Sequence, residues 1–166
     1  MIYFEVISII IIMTHGMIMC LDEFYFHHKR KLPKWERLGH PVDTLFFFSC
    51  FFIVIFFPMT KISVILFFIL SFISSMIIVK DEFIHAKNCC IKENYLHALL
   101  FVFHPILLII LFLSWSSFTK PYFNGLESFN STIIKNMMYF QFITTILFFI
   151  YQIIFWNFIY KEKTKL

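Results

Sequence analysis

Five runs free of Lys, Arg, Asp and Glu dominate the hydrophobic pattern: Val6 to Leu21, Thr44 to Thr60, Ile62 to Val79, Asn94 to Thr119 and Asn136 to Tyr160. A helix rises 1.5 Å per residue, so roughly 17 to 25 residues cross about 30 Å of hydrocarbon. The first two runs are at the short limit, and extending the first back to Ile2 repairs its length. The pattern predicts an all-α integral membrane protein of about five transmembrane helices, in a single transmembrane domain over 1–166. Met1 to Glu5 carries no basic flank and the run ends at Leu21-Asp22 without a small-residue cleavage site, which predicts a retained helix rather than a signal peptide.

Composition excludes the soluble alternative. The chain is 60% hydrophobic and 14% charged, against roughly a quarter charged in soluble domains, and 166 residues offer too little interior to hide so much Phe, Ile and Leu. The formal charge of +4 would hint at nucleic acid in a soluble protein, but the basic residues lie in short segments between the runs, so no nucleic-acid partner is expected and membrane lipid is. Lys29, Arg30, Lys31, Lys34, Arg37, Lys80, Lys87, Lys92, Lys161, Lys163 and Lys165 fall on one side and only Lys61, Lys120 and Lys135 on the other. The positive-inside rule then predicts a cell inner membrane protein with its N-terminus outside and its C-terminus cytoplasmic. Trp35, Trp115, Trp156, Tyr122 and Tyr160 are expected as interfacial belt residues, and Cys20, Cys50, Cys89 and Cys90 as reduced thiols.

An internal repeat is suggested by Met17 to Phe24 and Met76 to Phe83, each closing an apolar run with Asp-Glu-Phe. His27 or His28 follows the first copy and His85 the second, and Glu36 to His40 answers Glu93 to His97. The expected layout is two helix-loop-helix repeats, about 2–60 and 61–119, forming a four-helix bundle, with a fifth helix at about 134–160.

The chemistry lies in the spacing of acids and histidines. Glu23 and His27, Glu36 and His40, and Glu93 and His97 are four apart, and Glu82 and His85 three, the spacings that share a helical face. Random placement would leave roughly 0.6 such pairs, and all four sit at the predicted cytoplasmic ends of the first four spans. The plain alternative is a set of wet helix ends whose pairs contribute roughly 0.2 to 0.5 kcal/mol each. Brought to one point, they would instead form a di-metal site, as in bundles where two divalent ions, iron most often, are held by one carboxylate per helix and Glu-x-x-His motifs. Glu82-Phe83-Ile84-His85 has that form. Clustered carboxylates beside lipid would otherwise repel one another.

Pro41 is expected to weaken the second pair by ending the helix near Gly39. Asp22, Asp81, Asp43, His28, His15 and His104 are candidate supporting groups. His15 and His104 lie inside spans one and four and admit a rival cofactor, a bis-His haem b. Lys29-Arg30-Lys31 reads as a polybasic strip on anionic headgroups or an orientation signal, and Phe46-Phe47-Phe48 as lipid-facing or core filler. No GxSxG, Walker or Gly-rich phosphate motif is present among three Gly.

The stretch Asp22 to Thr44, from Asp-Glu-Phe-Tyr-Phe-His-His through Trp-Glu-Arg-Leu-Gly-His-Pro-Val-Asp-Thr, resembles small multi-pass bacterial membrane proteins of no established function, over roughly residues 1–100. In ligand types the constellation is similar to membrane di-iron hydroxylases and desaturases, although those use His-x-x-His boxes where this chain has Glu-x-x-x-His. The leading expectation is a cytoplasmic-side di-metal protein, an oxidoreductase on a lipid or quinone-like apolar small molecule. A metal-ion or proton transporter and a non-catalytic membrane scaffold or assembly factor are the alternatives.

Overall fold

The computed structural model describes residues 2–120, 122, 123, 125 and 129–160, with the side chains of 81–88 left aside. The described residues are predominantly helical, with no strand among them, and five helices are long and apolar enough to cross a membrane. They are α1 (Ile2–Arg30), α2 (Lys34–Phe56), α3 (Lys61–Asn88), α4 (Ile91–Ser117) and α5 (Thr132–Ile159). Every one extends beyond its uncharged run. The apolar count sees only the stretch lipid would tolerate, whereas backbone hydrogen bonding carries each helix on into charged sequence, where the candidate residues sit.

Local chemistry sets the boundaries. Thr60 and Ser63 exchange side-chain-to-backbone bonds at the start of α3, Ser63 Oγ accepting from the Thr60 N–H at 2.8 Å and Thr60 Oγ1 from the Ser63 N–H at 3.2 Å, a reciprocal cap. Ser131 caps α5 by accepting the Ile134 N–H, and its hydroxyl donates to Glu5 at 2.6 Å. Between α1 and α2 the chain reverses at Lys31, whose φ is +66°, and Pro33 then starts α2. Pro41 does not end that helix. It lies buried inside α2, so Glu36 and His40 share one continuous helix, contrary to the expected break at Gly39.

The helices close in the order α1–α4–α3–α2–α5, with α5 packed against both α1 and α2. The fifth helix is therefore part of the wall that completes the bundle. At the α2–α3 end the interior is apolar, built from Phe51, Val54, Phe67, Leu111, Trp115 and Met138. Large apolar side chains such as Ile10, Phe72 and Leu147 face outward, as lipid in place of water allows. Trp115 and Trp156 are not belt residues: both are fully buried, and the Trp115 indole donates to the Phe57 carbonyl at 3.1 Å. Trp35 and Tyr122 are exposed as expected. The four cysteines form no disulfide with one another.

Candidate metal centre

At the opposite end the interior is polar. The last part of α1 leaves α geometry and runs as a π turn over Asp22–His27. A wider turn brings residues four and five apart onto one side, and such turns recur at functional sites. Here both acids reach one imidazole: His27 Nε2 lies 3.1 Å from Asp22 Oδ2, and His27 Nδ1 lies 3.2 Å from Glu23 Oε2. All three residues are buried.

The first turns of α2 and α4 supply the next pair. Glu36 and Glu93 each occupy the third helical position, where the amide ends of the helix favour negative charge. His40 and His97 follow one turn later. His97 Nε2 lies 3.1 Å from Asp22 Oδ1, and the His27 and His40 rings are 4.7 Å apart between centroids. Two donor sets result. Asp22, His27, Glu93 and His97, all buried, each offer an atom within 4.8 Å of the others, and His27, Glu36 and His40 do the same. Metal–ligand bonds near 2.1 Å in a tetrahedral site set neighbouring donor atoms roughly 3.4 Å apart; here His27 and His97 each lie 3.1 Å from Asp22, and the other donor atoms lie within 4.8 Å. The residues present therefore suit a divalent ion.

Arg30 ties the cluster together. Its Nη1 and Nη2 donate to the two oxygens of Glu36 at 2.9 and 2.7 Å, and its Nε donates to Glu93 at 3.0 Å. The sequence offers Arg30 as part of a headgroup-facing strip or of an orientation signal. The structure turns it inward while Lys29 lies over the Tyr25 ring. Asp22, Glu23, Glu36 and Glu93 against one guanidinium leave three formal negative charges beside three imidazoles. Protons on the rings or a divalent ion must balance them, because buried charge is costly when unpaired.

The π turn also exchanges two expected roles. Asp22, a supporting candidate in the sequence, enters the donor set, whereas Glu23 lies behind His27. Glu23 accepts the Trp156 indole N–H and the Gln152 amide, the latter at 3.3 Å, and Thr44 Oγ1 donates to the Gln152 carbonyl at 2.8 Å. A carboxylate on the far nitrogen of a ligating imidazole fixes its tautomer and direction. Trp156 and Gln152, both from α5, were missed. Four-residue spacing links them, but neither is a metal ligand or an acid, so no chemical signal marked them.

Glu82 and His85 lie on α3, and Asp81 beside them; their side chains fall outside the described residues. His28 points away, 2.6 Å from the Tyr151 hydroxyl and stacked on Phe155. Deeper in the bundle, His15 and His104 face each other at 6.0 Å between centroids, with Phe47 packed against both. His104 Nε2 bonds Ser74 Oγ at 3.0 Å, and that hydroxyl donates to Asp43 at 3.3 Å. Phe47, expected as lipid-facing or core filler, is buried in the apolar core and also walls this polar layer. A cavity of about 540 Å³ joins this layer to the cluster, touching Asp22, Glu23, His27 and His97 at one end and His15 and His104 at the other.

These features define a class: a multi-helix protein of membrane-spanning dimensions with a buried carboxylate–imidazole cluster at one end of its bundle. Comparisons with protein-family models, curated proteins and solved structures return no match.

Proposed function

We propose that this chain is a membrane-embedded metalloprotein of the inner membrane, with the cluster on the cytoplasmic side, acting as an oxidoreductase on a lipid-soluble substrate. The supporting observation is the set Asp22, His27, Glu93 and His97: four buried donors from three helices with atoms within 4.8 Å. Two imidazoles and two carboxylates suit iron or manganese, and iron bound there would supply one-electron chemistry. The set His27, Glu36 and His40 is an alternative position for that ion, since with Nδ1 held by Glu23 the one remaining ring nitrogen of His27 serves a single ion. Within this reading Asp22, Glu93, His27 and His97 hold the ion, Glu23 orients His27, and Arg30 compensates Glu36 and Glu93. The adjoining cavity gives an apolar molecule access without crossing water.

Elemental analysis of detergent-purified protein after loading with ferrous or manganous ion tests the proposal. About one ion per chain in the native sequence, falling to background in Asp22→Asn and His97→Ala while both remain monodisperse, is expected. Unchanged metal content in both variants would defeat it.

One observation favours transport as a second reading. The line Asp43, Ser74, His104 and His15 extends polar contacts into the bundle, as a proton path does. Proton or metal flux into proteoliposomes that depends on His104 would support transport over catalysis.

A further inference from the structure

The polar layer beneath the cluster contains an imidazole that the fold does not satisfy. His15 is 1% exposed, and neither of its ring nitrogens has a hydrogen-bond partner among the described residues. A neutral imidazole carries one donor and one acceptor, and leaving both unmet in a low-dielectric interior is unfavourable. His15 nevertheless lines the cavity.

We infer that this cavity binds a neutral amphiphile, its head oxygen hydrogen-bonded by His15 and its hydrocarbon tail leaving between α1 and α5 into the bilayer. Two further features of the wall support this. First, Met13, Met17 and Phe140 line the cavity yet are each more than half exposed on the outer surface of the bundle, so the opening is apolar and faces where lipid would lie. Gly16 sits beside it, and a Cβ there would meet nothing nearer than the Gln141 amide oxygen at 3.9 Å; the missing side chain keeps the passage open. Second, no Lys or Arg lines the cavity among the described residues, while Asp22, Glu23 and Asp43 do. With no Lys or Arg in the wall to pair a phosphate or carboxylate head, the site suits an uncharged carbonyl or hydroxyl. At about 540 Å³ the space is that of a small-molecule site.

This inference deepens the metal-centre reading by naming what shares its cavity. It rests on that reading for the chemistry but not for binding. The shared recognition chemistry is an uncharged oxygen head on an apolar tail, which a quinone ring or a fatty alcohol could present.

Full-length protein in detergent would be titrated with decylubiquinone, read by quenching of tryptophan fluorescence, since Trp156 donates to Glu23 at the cavity wall. Saturable quenching is expected, weakened at least tenfold in His15→Phe and abolished in Gly16→Leu. His15→Phe should melt no lower than the native chain, which separates lost binding from lost folding. Displacement by 1-hexadecanol would assign recognition to any neutral oxygen head, and failure to displace would assign it to the quinone ring; both support the site. No saturable quenching, equal affinity in His15→Phe and Gly16→Leu, or equal displacement by palmitate would overturn it. Asp22→Asn, which lacks the metal on the present reading, should still bind the quinone. Loss of metal with retained binding, or the reverse, distinguishes failure of one idea from failure of the other.

Discussion

Arg30 is the position where the electrostatic argument is most exposed. Its guanidinium makes three charge-assisted bonds, two to Glu36 and one to Glu93, and the two carboxylates are 1% and 2% exposed. Arg30→Met keeps most of the side-chain volume and removes the cation, leaving two buried acids without their guanidinium. Breaking a buried pair from one side costs about 3–5 kcal/mol. The Arg30 side chain retains 18% exposure, so water screens part of the loss and the lower end, about 3 kcal/mol, is expected. For a chain of this size that corresponds to a melting point lower by roughly 6–12 °C. Thermal unfolding in detergent, followed by circular dichroism in chelator, measures it without interference from metal. Arg30→Lys should fall between the two, because an ammonium cannot chelate both Glu36 oxygens. Adding Glu36→Gln to Arg30→Met should recover part of the loss, as expected for coupled groups. A drop of less than about 1 kcal/mol in Arg30→Met would refute the claim that this guanidinium neutralises the buried acids.

Three other outcomes follow from separate features. Trp156→Phe keeps the ring packing but removes the donor to Glu23, and should cost about 1–3 kcal/mol in the same melt. Lys31→Val should destabilise by about 1–2 kcal/mol relative to Lys31→Gly, since φ is +66° there and a β-branched side chain tolerates that region worst; equal melting points would show that the turn is not strained. Burial pushes the Cys89 thiol up while Cys90 is exposed. A membrane-impermeant maleimide should therefore label Cys90 before Cys89, and only in inverted vesicles if this connection faces the cytoplasm; labelling in right-side-out cells would reverse the topology.

The number and class of the elements were legible because lipid imposes one simple demand, a long uncharged run for each crossing. The pairing of Glu23 with His27, Glu36 with His40 and Glu93 with His97 was legible too, because i,i+4 spacing survives wherever a helix is continuous. What the spacing could not carry was the change of pitch at Asp22–His27, which lets Asp22 as well as Glu23 reach one ring. Arg30 sits in a run of bases that hydropathy reads as surface, and only the reversal at Lys31 turns it back toward Glu36. Trp156 and Gln152 come from a helix with no acid or histidine, so their place beside Glu23 depends on packing of α5 against α1, a long-range fact with no local trace. Pro41 misled for a related reason: a proline is expected to break a helix on average, but α2 continues through it with the ring buried.

The position of α5 also has a consequence for biosynthesis. Glu23 and its indole donor Trp156 are 133 residues apart, and at 5–20 residues per second a ribosome needs roughly 7–27 s to make the intervening chain. Through that interval the first helix must wait, its acidic end lacking the indole and amide that later hold it. Completion of the cluster is thus timed by the emergence of α5, and a nascent chain stalled before α5 would leave Glu23 without its indole and amide partners.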